Sequence, residues 1–230
     1  MRFDVLTLFP EILQGYLGQS ILKLALDKGI VAIHLWNIRD WAEGKHHCVD
    51  DRPFGGGPGM VIMPEPVFAA VEAVQAQAAE PAQLVLLTPA GERLTQKLVQ
   101  KLAEQKRLLL LCGRYEGFDE RIRLGLKPLE ISIGDYICNG GEVPAMVLID
   151  TLIRYVPGVL GDADSVKEET HSKPGIVEYP QYTRPRTFRN MSVPDVLLSG
   201  NHGAIARWRH EQSKVRSQER SAKSEESQKP

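Results

Sequence analysis

Six residues, Arg107-Leu108-Leu109-Leu110-Leu111-Cys112, limit the fold more than any others in this chain. After the arginine no polar side chain remains to face water from either side of a strand. Both faces must therefore be covered, which describes a central strand in a parallel sheet with helices above and below. The surrounding rhythm agrees. Residues 3–9 form a β-rich run closed by Pro10. Residues 20–28 have helical spacing, with Ile21, Leu24 and Ala25 on one side and Gly29 as C-cap. Strands are expected at 30–36, 83–87 (ending in Thr88-Pro89) and 129–133, and helices at 65–79, 94–105 and 142–155. Strand and helix alternating in this way predict an α/β domain with a mostly parallel sheet and helices on both faces.

Beyond residue 157 the pattern changes. Glycines, charges and Pro174 replace periodicity up to about residue 179, which reads as a mobile linker. A small helical unit follows, with Asn201 as N-cap of a helix over 202–219. The last ten residues, SAKSEESQKP, are too polar to predict order. The expected organisation is a domain at 1–160, a linker at 161–178 and a small helical domain at 179–230 with a disordered tail.

Charge and cysteine usage narrow the function classes. Net charge is −1, yet residues 182–220 hold eight basic residues against three acidic ones, leaving +5 there and −6 elsewhere. A basic C-terminal part on an acidic body suggests a polyanion touching one end, although a solvated helix face is an equally ordinary source of so mild a run. Cys48, Cys112 and Cys138 form no Cys-x-x-Cys pair, so buried thiols are expected rather than a zinc site or disulfides. No apolar run approaches the ~20 residues of a membrane span, and Asp4 interrupts any signal-peptide pattern, which predicts a cytoplasmic protein.

Three loops carry more glycine and charge than connectors need. The first contains Asp50-Asp51-Arg52-Pro53-Phe54-Gly55-Gly56-Gly57-Pro58-Gly59, where glycine allows close approach to the main chain. No Gly-Lys-Ser/Thr follows, so it is not a P-loop. The second, Gly113-Arg114-Tyr115-Glu116-Gly117-Phe118-Asp119-Glu120, leaves the most buried strand. The third runs from Gly134 to Glu142 and holds the pair Gly140-Gly141. Ligands of open α/β sheets bind beyond the carboxyl ends of strands. These two loops and the Thr88-Pro89 turn are therefore expected to converge on one pocket spanning residues 108–144. Nothing matches Gly-x-Gly-x-x-Gly, His-Glu-x-x-His or Gly-x-Ser-x-Gly, and His46-His47 reads as polar surface.

The strings DDRPFGGGPGM from Asp50, LLCGRYEGFDERI from Leu110, SIGDYICNGGEVPAMVLID from Ser132, RYVPGVLG from Arg154, EYPQYTRP from Glu178 and VLLSGNHGAIARWR from Val196 resemble the bacterial tRNA (guanine-N1)-methyltransferase family of the SPOUT class. They occur in family order and span nearly the whole chain. The resemblance implies a deep trefoil knot in the cofactor half, a feature that general folding rules do not anticipate. It also implies a homodimer with active sites shared between subunits, S-adenosylmethionine as methyl donor and N1 of guanosine 37 of tRNA as acceptor.

Carried over by position, the cofactor residues are Leu87, Thr88, Pro89, Gly113, Tyr115, Glu116, Gly117, Ile133, Gly134, Asp135, Tyr136, Ile137, Cys138, Gly140, Gly141 and Pro144. Asp50, Arg52, Gly55, Gly59, Ser165, Trp208 and Arg209 are the implied substrate contacts. Guanine N1 is weakly nucleophilic while protonated, so a general base is required, and charge then builds on the neighbouring oxygen. Arg154 matches the family's stabilising arginine, and it also suits a helix C-terminus on dipole grounds.

The base lies where this chain departs from the family. Counted from Gly161, Glu169 takes the position of the family's aspartate; counted back from Thr183-Arg184-Pro185, Thr170 does. Glu169 is the candidate, with Glu168 beside it as the alternative. The resemblance further suggests magnesium dependence, although no ligand cluster demands it. Two rival readings are a related SPOUT enzyme with another RNA target, which would not need the linker carboxylate, and a non-catalytic RNA-binding protein, which would not need the glycine loops.

Overall fold

The computed structural model describes residues 1–161 and 169–227, with side chains up to 223. The chain divides into two compact units, Met1–Ala163 and Asp164–Pro230. In the first, β1 (Arg2–Thr7), β2 (Ala32–Asn37), β5 (Gln83–Arg93), β6 (Arg107–Cys112) and β7 (Leu129–Ser132) form one sheet in the order β2-β1-β6-β5-β7. Every pairing in it is parallel. β6 lies at the centre, and its leucines alternate between two separate cores. Leu108, Leu110 and Cys112 face one and Leu109 and Leu111 the other. Helices α1 (Glu11–Leu17), α2 (Ser20–Asp27), α4 (Gln96–Ala103) and α6 (Glu142–Ile153) supply the first core. Helices α3 (Pro64–Gln75) and α5 (Glu120–Leu126), with the 3-10 turn Ile38–Trp41, supply the second. The two-sided cover expected from the apolar run is therefore present, and a fully buried leucine contributes roughly 1.5–3 kcal/mol.

Asp4 and Arg107 are buried together where the sheet begins. Arg107 Nε donates to Asp4 Oδ2 at 2.8 Å, and Trp36 Nε1 and Arg2 donate to the same carboxylate. The remaining Arg107 nitrogens donate to the carbonyls of Val74, Gln75 and Glu80, closing the end of α3. Every nitrogen of this buried cation thus meets an acceptor, as burial of a charge requires.

Of the three thiols expected to be buried only Cys112 is, while Cys48 is exposed and Cys138 half-buried. Three expectations about the elements need correction as well. β5 does not stop at Thr88-Pro89. Its register shifts after Leu87, and Glu92 and Arg93 pair with β7 again. Gly91 permits this because a Cβ there would lie 2.5 Å from the Glu130 carbonyl carbon. Residues 169–178, expected to belong to a mobile linker, are tied to the C-terminal helix α8 (His202–Ser227). The Val177 amide donates to Ser217 Oγ at 2.9 Å, Ser213 Oγ donates to the Val177 carbonyl, and Arg216 donates to the Glu178 carbonyl. Finally, α8 continues to Ser227, seven residues into the stretch expected to lack order. Extending a formed helix through Ala222 and Lys223 needs no new nucleus. Its start is as expected, with Asn201 Oδ1 accepting from the Ala204 amide at 3.0 Å. The second unit also holds a hairpin of β8 (Thr187–Phe188) and β9 (Met191–Ser192) and the short helix α7 (Asp195–Leu198).

Candidate functional site

A single cavity of about 710 Å³ is lined by the irregular middle of β5 and by the chain leaving β6 and β7 at their carboxyl ends. That size suits a cofactor-sized molecule. Leu87, Thr88 and Pro89 come from β5; Gly113, Tyr115, Glu116 and Gly117 follow β6; Ile133, Gly134, Tyr136, Ile137, Cys138, Gly140, Gly141 and Pro144 follow β7. All but one of the sixteen cofactor candidates thus meet there. Asp135 does not line the cavity. Its side chain is 87% exposed and pairs with Arg93 at 3.4 Å.

The loop after β6 is fixed by its backbone. Tyr115 is in the left-handed region at φ 59, a conformation that costs a non-glycine residue free energy, and Gly117 follows at φ 101. The Gly117 amide donates to the Arg114 carbonyl, closing the turn. The loop is also joined to the glycine-rich segment between β3 (Asp50–Asp51) and β4 (Val61–Ile62). The Glu116 amide donates to the Met60 carbonyl, Ile62 to Gly117, and Asp119 to Ile62, at 2.9–3.0 Å. Gly59 (φ 82) lies directly against the Glu116 side chain, which would collide with any Cβ there.

The wall also holds Arg114, Asn139, Asp119 and Glu120, which lie in the loops expected to converge here but were not among the cofactor candidates, and Arg123 from α5, a helix not expected from the sequence. The Arg121 guanidinium beside Asp119 holds its carboxyl below the usual range, and Arg123 does the same for Glu120. Beneath the wall, Glu142 is buried. Thr7 Oγ1 donates to its Oε1 at 2.7 Å, and Arg114 Nε lies 3.0 Å from its Oε2. Burial pushes the neighbouring Cys112 thiol up, and the Glu142 charge adds to the effect.

Of the substrate candidates, Asp50 pairs with Ile62 in the β3–β4 ribbon, and the Arg52 amide donates to Asp51 Oδ1. Gly55 has φ 87. Arg154 is the C-cap residue of α6 and lies outside the cavity wall. Ser165 and the alternative base Glu168 lie outside the described residues. In the second unit, Glu169 is half-buried and its carbonyl accepts from the Ser172 amide. The Thr170 hydroxyl accepts from the Glu178 amide. Trp208 packs against Tyr182 with ring centroids 6.3 Å apart, and Arg209 lies over the Tyr179 ring at 4.8 Å. No helix among the described residues is long and apolar enough to cross a membrane.

In a parallel α/β sheet, glycine-rich loops at the carboxyl edge are the usual place for a small ligand. The family model described as tRNA (Guanine-1)-methyltransferase TrmD matches residues 1–224, and the chain belongs to that family. Similar proteins include a tRNA (guanine-N(1)-)-methyltransferase of Rhodopirellula baltica, 55% identical over 96% of this chain and 92% of its own length. Those of Geobacillus kaustophilus and Dictyoglomus turgidum are 54% and 52% identical, each over 93% of this chain and 86% and 85% of their own lengths.

Proposed function

We propose that this protein transfers a methyl group from S-adenosylmethionine to N1 of guanosine 37 in tRNA. The observation that carries the reading is the convergence of fifteen family-matched cofactor positions on one cavity at the carboxyl edge of the sheet. The wall fits the cofactor chemically. Leu87, Ile133 and Tyr136 offer apolar surface for adenine and thioether, and the exposed main chain of three loops offers donors and acceptors for the polar edge. When bound, S-adenosylmethionine supplies an electrophilic methyl group. Glu169 then removes the N1 proton, and Arg154 stabilises charge on the guanine oxygen. Among the described residues no group of three or more His, Cys, Asp or Glu side chains could hold a metal ion, so no step is assigned to magnesium.

The proposed organisation is a cofactor domain at 1–160, a connection at 161–178 and a tRNA-contacting unit at 179–230, in a cytoplasmic protein. A trefoil knot in the first domain is carried over from the family, and the tight main-chain packing at Gly91 against Glu130 and at Gly141 against Cys112 is compatible with it. A homodimer with shared active sites is carried over from the family; Ile12 on α1 and Val143 and Val147 on the adjoining α6, exposed apolar side chains, offer a surface for such an association. Asp50, Arg52, Gly55, Gly59 and Ser165, with Trp208 and Arg209, are the proposed tRNA contacts.

The test uses pure protein, labelled cofactor and tRNA with guanosine or another base at position 37. Label incorporated only with guanosine 37 supports the reading, and label on another position or on ribose overturns it. Glu169→Gln should abolish turnover while S-adenosylmethionine affinity stays within about twofold, because the lost group acts only on the acceptor. Normal turnover in that variant removes Glu169 from the mechanism.

A further inference from the structure

Among the described residues two carboxylates are buried, Asp4 and Glu142, and only Glu142 adjoins the cavity. The chemistry proposed above gives it no task. Glu142 opens α6 and is 1% exposed. Its Oε1 accepts from Thr7 Oγ1 at 2.7 Å, and that hydroxyl oxygen accepts from the Phe9 amide at 3.0 Å, which ties the carboxylate to the end of β1. Its Oε2 faces Arg114 Nε at 3.0 Å but off the line that a hydrogen bond needs, and neither atom has another hydrogen-bond partner. An Arg–carboxylate pair is strongest as two parallel N–H···O bonds. This pair is held away from that geometry where a misfit costs most, inside the protein. Gly140 keeps the space open, since a Cβ there would lie 2.6 Å from both Glu142 Oε2 and Arg114 Cδ.

The other side of the pair faces the cavity. Glu142 is not part of the wall, but Arg114 is. The Arg114 guanidinium lies 4.9 Å over the Phe9 ring, and its NH1 reaches the Asn139 carbonyl at 3.4 Å, a weak bond. The wall's other cation, Arg123, is shared between Glu120 and Glu130. Arg114 is therefore the wall cation with donor capacity to spare.

We propose that Glu142 is a positioning residue: it aims Arg114 at the carboxylate of the cofactor's amino-acid end, the anionic group of S-adenosylmethionine. The inference rests on the cofactor reading above, and its test separates the two. Full-length protein is titrated by calorimetry with S-adenosylmethionine and with its decarboxylated analogue, which lacks only that anion. Wild type binds the complete cofactor more tightly, on the order of tenfold, as one charge-assisted hydrogen bond would give. Glu142→Gln keeps an acceptor for Thr7 but loses the charge that holds Arg114, and it binds both ligands alike. Arg114→Gln loses the discrimination directly, so failure of either variant to fold leaves the other to report. If wild type binds neither ligand, the cofactor reading itself fails. If wild type discriminates and Glu142→Gln discriminates equally, or if both affinities fall together in the folded variants, the positioning role is overturned and Glu142 is structural only.

Discussion

Gly141 shows how one missing methyl group can hold a site together. It has no positive φ, so nothing in its own backbone calls for glycine. The requirement comes from across the sheet edge, where a Cβ would lie 2.6 Å from Cys112 Cα. Main chain cannot swing aside as a flexible side chain can, and overpacking of this kind costs about 1–3 kcal/mol. Gly141→Ala should therefore lower the unfolding free energy by that amount, read as a lower denaturation midpoint at unchanged m-value. Gly161→Ala, with nothing within 4 Å and no positive φ, should stay within about 0.5 kcal/mol. The pair Gly140-Gly141 was recognisable in the chain as more than a helix cap. Which glycine answers to which neighbour was not, because Cys112 and Arg114 lie over twenty-five residues away in sequence. Arg114 and Glu142 were visible as charges in the glycine-rich loops, but their pairing was hidden for the same reason, since they too are distant in sequence. Asp135 shows the opposite case: it lies inside a matched string, yet its side chain points to solvent and pairs with Arg93.

At the level of elements, β6 was legible because both its faces are apolar and its ends are marked by Arg107 and Gly113. β5 was not, because Pro89 reads as a strand end while the second pairing with β7 depends on tertiary contact at Gly91. The Asp4–Arg107 pair joins β1, β6 and the end of α3, and its contribution depends on pH. Burial raises the Asp4 carboxyl, but the bonds from Arg2, Trp36 and Arg107 outweigh it, leaving the group below its ordinary 3.8. A carboxylate with a lowered folded value stabilises the protein above its unfolded value and loses that contribution as pH falls through the folded one. Wild type should therefore lose denaturant resistance below about pH 4. Asp4→Asn should be less stable near pH 7 by about 3–5 kcal/mol, the cost of stranding buried Arg107. Its stability should also be flatter through the acid range. Parallel curves for the two proteins would show that Asp4 does not carry the acid response.

The molecule as a whole joins two kinds of loop that sequence distance keeps apart. The glycine-rich segment before β4 and the loop after β6 are bonded to each other through the main chain of Met60, Ile62, Glu116, Gly117 and Asp119. A ligand that orders one of them therefore restricts the other. Hydrogen exchange should show it: adding S-adenosylmethionine should slow amide exchange across residues 54–59 as well as in the cavity wall. Protection confined to the wall would show that the bonds transmit nothing. If protection does spread, the two ligands are thermodynamically linked. Whatever factor the cofactor applies to tRNA affinity, tRNA must apply to cofactor affinity. Three backbone hydrogen bonds would then make the enzyme hold its methyl donor at a strength set by whether an acceptor has arrived.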